Sequence, residues 1–265
     1  MRVVAIQTAC MRIATWNVNS VRARLPRLLP WLEQHRPDVV CLQETKVVDE
    51  LFPREYVEDA GYDVVVHGQK TYNGVAILAR RRIGDVVRGF PDDGPDAQAR
   101  AIAATVEGRR ILNLYVPNGS EIGHEKYHMK LAWLKRLREF LDAEFRADDD
   151  LVICGDFNIT FDDRDVFDPE GWREEIHCST PERDALRHVM DFGLHDALRK
   201  HHEENGIYTW WDMRTRAFDR NDGLRIDHFL MSQSAFDACS AVTVDLDARG
   251  GKGPSDHAPL IADLD

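Results

Sequence analysis

The chain has 265 residues, 43% of them hydrophobic, and a formal net charge of −12. That length buries a large core and suits one big α/β domain or two small ones. No apolar run approaches the roughly 20 residues needed to cross a bilayer, and five cysteines with no C-x-x-C spacing argue against a disulfide framework or a thiolate zinc site.

In chain order, the first ten residues, "MRVVAIQTAC", are too short and too weakly patterned for a secretory signal. They read as a disordered or misassigned extension before a single domain over 11–265, soluble and cytoplasmic. "MRIATWNV" opens the first strand, followed by a helical segment around Pro26 to His35, with Pro26 in a first turn and Pro30 kinking or restarting the helix. "PDVVCLQE" reads as a buried strand, "PREYVEDAG" as a short helix closed by Gly61, and "YDVVVHG" as a further strand. "GVAILAR" and "IGDVVRG" are strand-like, and "RAIAATV" pairs with "RILNLYV" across a short turn. Helical spacing runs from His124 to Phe145, then "DLVICGDFN" returns to β. Thr180 and Pro181 look like the N-cap and first turn of "PERDALRHVMDFG", and "LRIDHFLMS", "AVTVDLD" and "HAPLIADL" are the last strands. Runs of β without intervening helix argue against a doubly wound parallel sheet. The order predicts an α/β four-layer sandwich: two mainly antiparallel sheets face to face, flanked by helices. Cys41 and Cys154, inside apolar runs, are expected as buried thiols.

The negative charge looks wrong for a nucleic-acid binder, but it is a global quantity and binding footprints are local. Arginines cluster at 22, 24 and 27, at 80–82, and at 214, 216, 220 and 225. These are basic footprints or solvated faces, and composition leaves both open.

Several apolar strands stop in polar residues: Asn17 and Asn19, Glu44, Tyr115 and Asn118, Asp156 and Asn158, Asp227, then Asp256 and His257. Any one of these endings is an ordinary turn; six of them gather a polar rim at one edge of a sandwich. Carboxylates and amides without thiolates favour a hard cation, with Mg²⁺ the default. No P-loop, G-x-S-x-G or H-E-x-x-H occurs, which leaves metal-assisted, in-line hydrolysis of a phosphate ester as the best fit. Asp256 and His257 are neighbours that face opposite ways in extended backbone, so each needs its own partner.

The motifs "TWNVNSVRAR", "DVVCLQETK", "GQKTYNGVAIL", "LYVPNG", "ICGDFNI", "TWWD", "GLRIDHFLMS" and "PSDHAPL" stand in the order and near the spacing of exonuclease III-type abasic-site endonucleases. The chain resembles that group, within the endonuclease/exonuclease/phosphatase superfamily, from about Met11 to its end. The resemblance implies the four-layer sandwich and cleavage of the phosphodiester 5′ to abasic sites with Mg²⁺, for which Mn²⁺ substitutes. It also implies 3′–5′ exonuclease and 3′-end-cleaning activity on double-stranded DNA by a monomer.

By the same resemblance Glu44 is the principal metal ligand, with Asn17 and Asp256 close to the ion. Asp156 orients or deprotonates the attacking water, and Asn158 holds Asp156 and a phosphate oxygen. His257 contacts the scissile phosphate with Asp227 behind it, while Tyr115 and Asn118 contact phosphate. Trp210, Leu224 and Ile226 line a small apolar pocket for a base-less sugar, and Trp211 takes a core position. Lys46, Arg214 and Arg225 meet flanking phosphates. The glycines of "ARGGKGPSDHA" imply a flexible approach to Asp256. The rival readings are a superfamily phosphodiesterase or phosphatase acting on a non-DNA ester, and a non-catalytic binding protein on the same scaffold.

Overall fold

The computed structural model describes residues 10–265; apart from the exposed Cys10, the expected N-terminal extension lies outside the described residues. Twelve strands form two six-stranded sheets. The first holds β1 (Met11–Asn17), β2 (Val39–Gln43), β3 (Asp63–His67), β4 (Val75–Ala79), β11 (Cys239–Val244) and β12 (Leu260–Leu264), in the order β11-β12-β1-β2-β4-β3. The second holds β5 (Ile83–Arg88), β6 (Ala101–Val106), β7 (Arg109–Tyr115), β8 (Leu151–Asp156), β9 (His195–Asp196) and β10 (Asp227–Met231), in the order β5-β6-β7-β8-β10-β9. Each sheet has one parallel pair, β1 with β2 and β7 with β8, and is otherwise antiparallel.

The apolar runs divide by strand alternation into three layers of core. Ile13, Val39, Cys41, Ile77, Ile111, Val152, Cys154 and Phe229 point inward and pack between the sheets. The alternate residues Trp16, Val40 and Leu42 face outward against Leu28, Trp31 and Leu32 of α1 (Val21–His35). On the far side Leu112, Leu114 and Ile153 meet Leu134, Leu137 and Leu141 of α3 (Glu125–Glu144) and Leu186 of α4 (Thr180–Met190). Strands buried on both faces therefore read as unbroken apolar runs. α2 (Arg54–Asp59), α5 (Ala197–His201) and α6 (Gln233–Ala238) are short connectors.

Two local expectations are corrected. α1 runs unbroken through both prolines. Arg22, Pro26 and Pro30 all lie on its exposed face, so the carbonyls that the prolines leave without donors turn to water, while buried Val21, Leu28, Trp31 and Leu32 hold the opposite face. The cap of α4 is Ser179, one residue earlier than expected: its hydroxyl accepts from the Glu182 N–H while the Glu182 carboxylate accepts from the Ser179 N–H, a complete capping box.

Candidate active site

Strand register brings the polar endings together. β8 lies between β7 and β10, and Asp156 is directly opposite Tyr115 on one side and Asp227 on the other. Register neighbours share a face, so these three side chains form a row at the edge of the second sheet. The backbone helps: Gly155 has φ +142°, and a Cβ there would sit 1.9 Å from the Leu114 carbonyl oxygen, so β8 approaches β7 just before Asp156 only because this residue is glycine. From the first sheet, Asn17 ends β1 and Glu44 follows β2 in a left-handed conformation, φ +51°.

The two sheets meet through Asn17. Its Nδ2 donates to Glu44 Oε1 at 3.0 Å and to Asp156 Oδ2 at 2.8 Å. Tyr115 Oη also donates to Glu44 Oε1, at 2.9 Å. On the other flank, His257 Nδ1 lies 2.8 Å from Asp227 Oδ2, and its Nε2 lies 3.7 Å from Asp156 Oδ2. Thr209 Oγ1 accepts from the Asp227 N–H at 3.1 Å and steadies that carboxylate's backbone. The Asn158 N–H donates to Asp156 Oδ1 at 2.9 Å, and Asn118 Nδ2 donates to Asn158 Oδ1 at 3.1 Å.

The electrostatics follow from burial and crowding. Asp156 is pushed up to about 7, first by burial and then by Asp227 and Glu44, with His257 and the Asn17 amide opposing. Burial lowers His257, but Asp227 and Asp156 outweigh it and lift the imidazole to about 10, so the ring is a cation held between two carboxylates. Burial, Glu44 and Asp156 raise the Tyr115 phenol well above its ordinary value, which leaves it a hydrogen-bond donor and a poor nucleophile. For Glu44, burial is outweighed by Lys46 and the Asn17 amide, and its carboxyl stays below the usual range.

Asp156, Asp227 and His257 offer atoms within 4.8 Å of one another, close enough for one ion. A protonated His257, with Nδ1 engaged by Asp227, is not a ligand. A second set of hard donors lies on the Glu44–Asn17 side. There the donors are oxygens, and Lys46 Nζ approaches Glu44 Oε2 at 2.6 Å as the local positive charge. Glu44, Asp156, Asp227 and Asp256 outnumber the cations Lys46 and His257, a balance that suits a divalent ion.

The structure corrects several expected placements. Asp256 and His257 precede β12 rather than lying in it. Asp256 does not lean on Glu44: its Oδ1 accepts from Asn19 Nδ2 at 2.9 Å and its Oδ2 from Trp210 Nε1 at 3.2 Å, and it reaches Glu44 only through Asn19 and Lys46. Lys46 donates to Asn19 Oδ1 at 2.6 Å and pairs with Glu44 Oε2 at 2.6 Å. Arg225 is fully buried and sits on Asp165 and Asp196, so it braces the protein and meets no DNA. Arg214 is 93% exposed and pairs only loosely with Asp212, at 3.5 Å. The glycine-rich approach to Asp256 is pinned, since Arg27 donates to the carbonyls of Ala248, Gly250 and Lys252.

Trp210, Leu224 and Ile226 do cluster, with Val166, Cys178 and Trp172. Trp210 is half-buried and its backbone bridges to both Leu224 and His257; Leu224 and Ile226 are buried. Trp211 is buried in the core. Sequence reasoning missed His177, whose Nδ1 lies 2.6 Å from the Asn158 carbonyl oxygen and whose ring is 6.3 Å from Trp210. It also missed Lys130, fully buried, which donates to the Asn118 and Asn158 carbonyls and pairs with Glu182. Its only signal was a lysine on the apolar face of the α3 pattern, at position 130 between Tyr127 and Leu134.

A model of the Endonuclease/Exonuclease/phosphatase family matches residues 14–257. The chain belongs to the endonuclease/exonuclease/phosphatase family. Within it, the chain is 38% identical to an exodeoxyribonuclease III of Haemophilus influenzae, over 96% of this chain and the whole of that one. Among solved family structures, a 3′ phosphatase from Neisseria bound to a product DNA hairpin superposes with a TM-score of 0.93 at 44% identity, over 96% of this chain and 99% of that one. An AP endonuclease from Archaeoglobus fulgidus also gives 0.93, at 38% identity and the same coverage. The two helix-flanked six-stranded sheets are this family's α/β sandwich.

Proposed function

We propose that this chain is a Mg²⁺-dependent DNA repair nuclease that hydrolyses the phosphodiester 5′ to abasic sites and clears blocking groups and nucleotides from 3′ ends of duplex DNA. It acts as a monomer in the cytoplasm, and Mn²⁺ substitutes for Mg²⁺. The observation that carries the reading is the row Tyr115–Asp156–Asp227, with His257 on its flank, facing Asn17 and Glu44 from the opposite sheet.

In this reading Asp156 accepts the proton of the attacking water and Asn17 and Asn158 hold its two oxygens in place. His257, kept protonated by Asp227, donates to a phosphoryl oxygen that gains charge in the transition state. The amides of Asn118 and Asn158 meet another, and Tyr115 Oη donates on the Glu44 side. Glu44 and Asn17 would hold the divalent cation, with Asp256 steadying Asn19 beside them; when bound, it neutralises charge on the phosphate and the leaving oxygen. Trp210 presents its half-buried ring to the base-less sugar. Arg214 supplies backbone contact.

Near-full-length similarity to an exodeoxyribonuclease III, an AP endonuclease and a 3′ phosphatase supports DNA over other phosphate esters. The 44% identity with the phosphatase further favours work at 3′ ends. The test is a duplex carrying a tetrahydrofuran abasic analogue and a second carrying a 3′-phosphate, each with Mg²⁺ or EDTA. Mg²⁺-dependent release from either supports the reading. Failure on both, or activity that survives Asp156→Asn, refutes it.

A further inference from the structure

One cation of this chain is shut away from solvent on a helix face whose pattern calls for an apolar residue. Lys130 stands on the inner face of α3, in the series Tyr127, Lys130, Leu134, Leu137 and Leu141. It is the only buried lysine among the described residues. Its Nζ faces three acceptors: the Glu182 carboxylate of α4, the Asn118 carbonyl at 3.1 Å and the Asn158 carbonyl at 2.7 Å. Three acceptors need three N–H donors, so the group is the ammonium. A buried ion pair is weak evidence of a contribution to stability, because apolar side chains of like volume often hold a core as well. The two carbonyls are what an apolar side chain cannot serve.

Those carbonyls belong to two loops that lie 40 residues apart in the chain. Asn118 follows β7 and Asn158 follows β8. Their side chains meet, Asn118 Nδ2 donating to Asn158 Oδ1 at 3.1 Å, and the Asn158 N–H donates to Asp156 Oδ1 at 2.9 Å. Asn158 is left-handed, φ +54°, and its carbonyl is held twice, by Lys130 Nζ and by His177 Nδ1 at 2.6 Å. The lysine stem also needs room beside the first loop. At Gly119, φ +96°, a Cβ would stand 3.2 Å from Lys130 Cδ and 2.8 Å from Ile176 Cδ1, so glycine lets that loop close over the stem. Glu182 is fixed in its turn, accepting from the Ser179 N–H and hydroxyl and from the His177 N–H. The ammonium is thereby placed by α3 and α4, and both loops are tied to it.

We propose that Lys130 is a positioning residue for hydrolysis: by tying the Asn118 and Asn158 carbonyls to one buried ammonium, it fixes the spacing of the two side-chain amides that meet the phosphoryl oxygen. The assignment rests on the nuclease reading, in which those amides face charge that grows in the transition state. Misplacing such donors by about 1 Å costs on the order of 100-fold in rate. Interactions made only in the transition state show in kcat and not in KM.

The rival role is a staple between α3 and α4, which moves stability alone. Single-turnover hydrolysis of the tetrahydrofuran and 3′-phosphate duplexes with Mg²⁺ separates the two, since the rate at saturation is a property of the folded molecules and melting temperature is read apart from it. Lys130→Met is expected to lower the saturating rate roughly 10- to 100-fold and to leave the half-saturating enzyme concentration within about threefold. With both amides removed, in Asn118→Ala/Asn158→Ala, adding Lys130→Met is expected to cost under about threefold, because the lysine acts through those amides. If the stranded Glu182 carboxylate unfolds Lys130→Met, the same cycle is run with Lys130→Met/Glu182→Gln, which removes both charges and leaves an amide oxygen to cap α4. Its melting temperature is expected to recover while its rate stays low. A saturating rate within about threefold of wild type, recovery of rate together with melting temperature, or losses that multiply when the amides are absent overturns the positioning role and leaves the nuclease reading intact. Failure of wild type on both duplexes overturns both.

Discussion

Replacing Asp227 with Asn removes one charge and leaves the shape of the site almost unchanged. In the wild type, Asp227 Oδ2 holds His257 Nδ1 at 2.8 Å, and among the groups that lift the imidazole to about 10 Asp227 is the largest. If it supplies about half of that rise from 6.5, its loss removes roughly 2 kcal/mol of imidazolium stabilisation. That agrees with the 1.5–3 kcal/mol, in order of magnitude, of a hydrogen bond to a charged group; the two figures describe one interaction and are not summed. Because the imidazolium is needed when charge builds on the phosphate, the expected effect is a kcat roughly 10- to 100-fold lower with KM nearly unchanged. The sign of the pH effect follows. With its pKa lowered part of the way toward the ordinary value, His257 loses its proton at a lower pH than in the wild type, so the variant falls behind as pH is raised through the alkaline range and recovers as it is lowered. The assay is single-turnover incision of the abasic duplex across pH at saturating Mg²⁺. A kcat within threefold of wild type, or a loss confined to KM, would refute the role assigned to the Asp227–His257 pair.

Glu44→Gln, which removes the carboxylate of the proposed cation position, is expected to raise the Mg²⁺ concentration needed for half-maximal rate by an order of magnitude or more; an unchanged titration curve would move the ion elsewhere. Arg225→Ala takes the guanidinium from Asp165 and Asp196, leaving Asp165 to Arg199 alone, and is expected to cost roughly 3–5 kcal/mol of stability, seen as a large drop in melting temperature. If DNA affinity falls and the melting temperature does not, its structural role is wrong. Asp165 provides an acid limb: burial is outweighed by Arg225, His228 and Arg199, and its carboxyl falls from 3.8 to about 2. The resulting roughly 2 kcal/mol is fully present above pH 4 and is lost as pH falls toward 2. Asp165→Asn should flatten that part of the stability–pH curve, and an unchanged slope would show that Asp165 does not set it.

The layered fold was legible because strand period and burial coincide: "VVCLQ" and "LVICGD" are apolar on both faces since both faces are covered. The clustering of Asn17, Glu44, Asp156, Asp227 and His257 was legible as a set of polar strand endings, each improbable as chance beside the others. Partner choice within the set was not. Asp256 and Lys46 were placed by resemblance, whereas the bonds they share depend on where Asn19 points after a left-handed turn, φ +45°. Arg225 was misread because an arginine in a basic run looks exposed, and its two carboxylates come from positions 165 and 196.

The order of strands in the first sheet has a consequence for how the enzyme comes into being. β12 lies between β11 and β1, and Asp256 and His257 sit just ahead of it, so a strand made after the other eleven described is an interior strand of a sheet begun with β1. A nascent chain can complete the second sheet, from β5 to β10, and still have no His257 to set against Asp227. The acid row and the imidazole set against it therefore come together only once residues 256–264 have been made, and shorter chains carry the row alone.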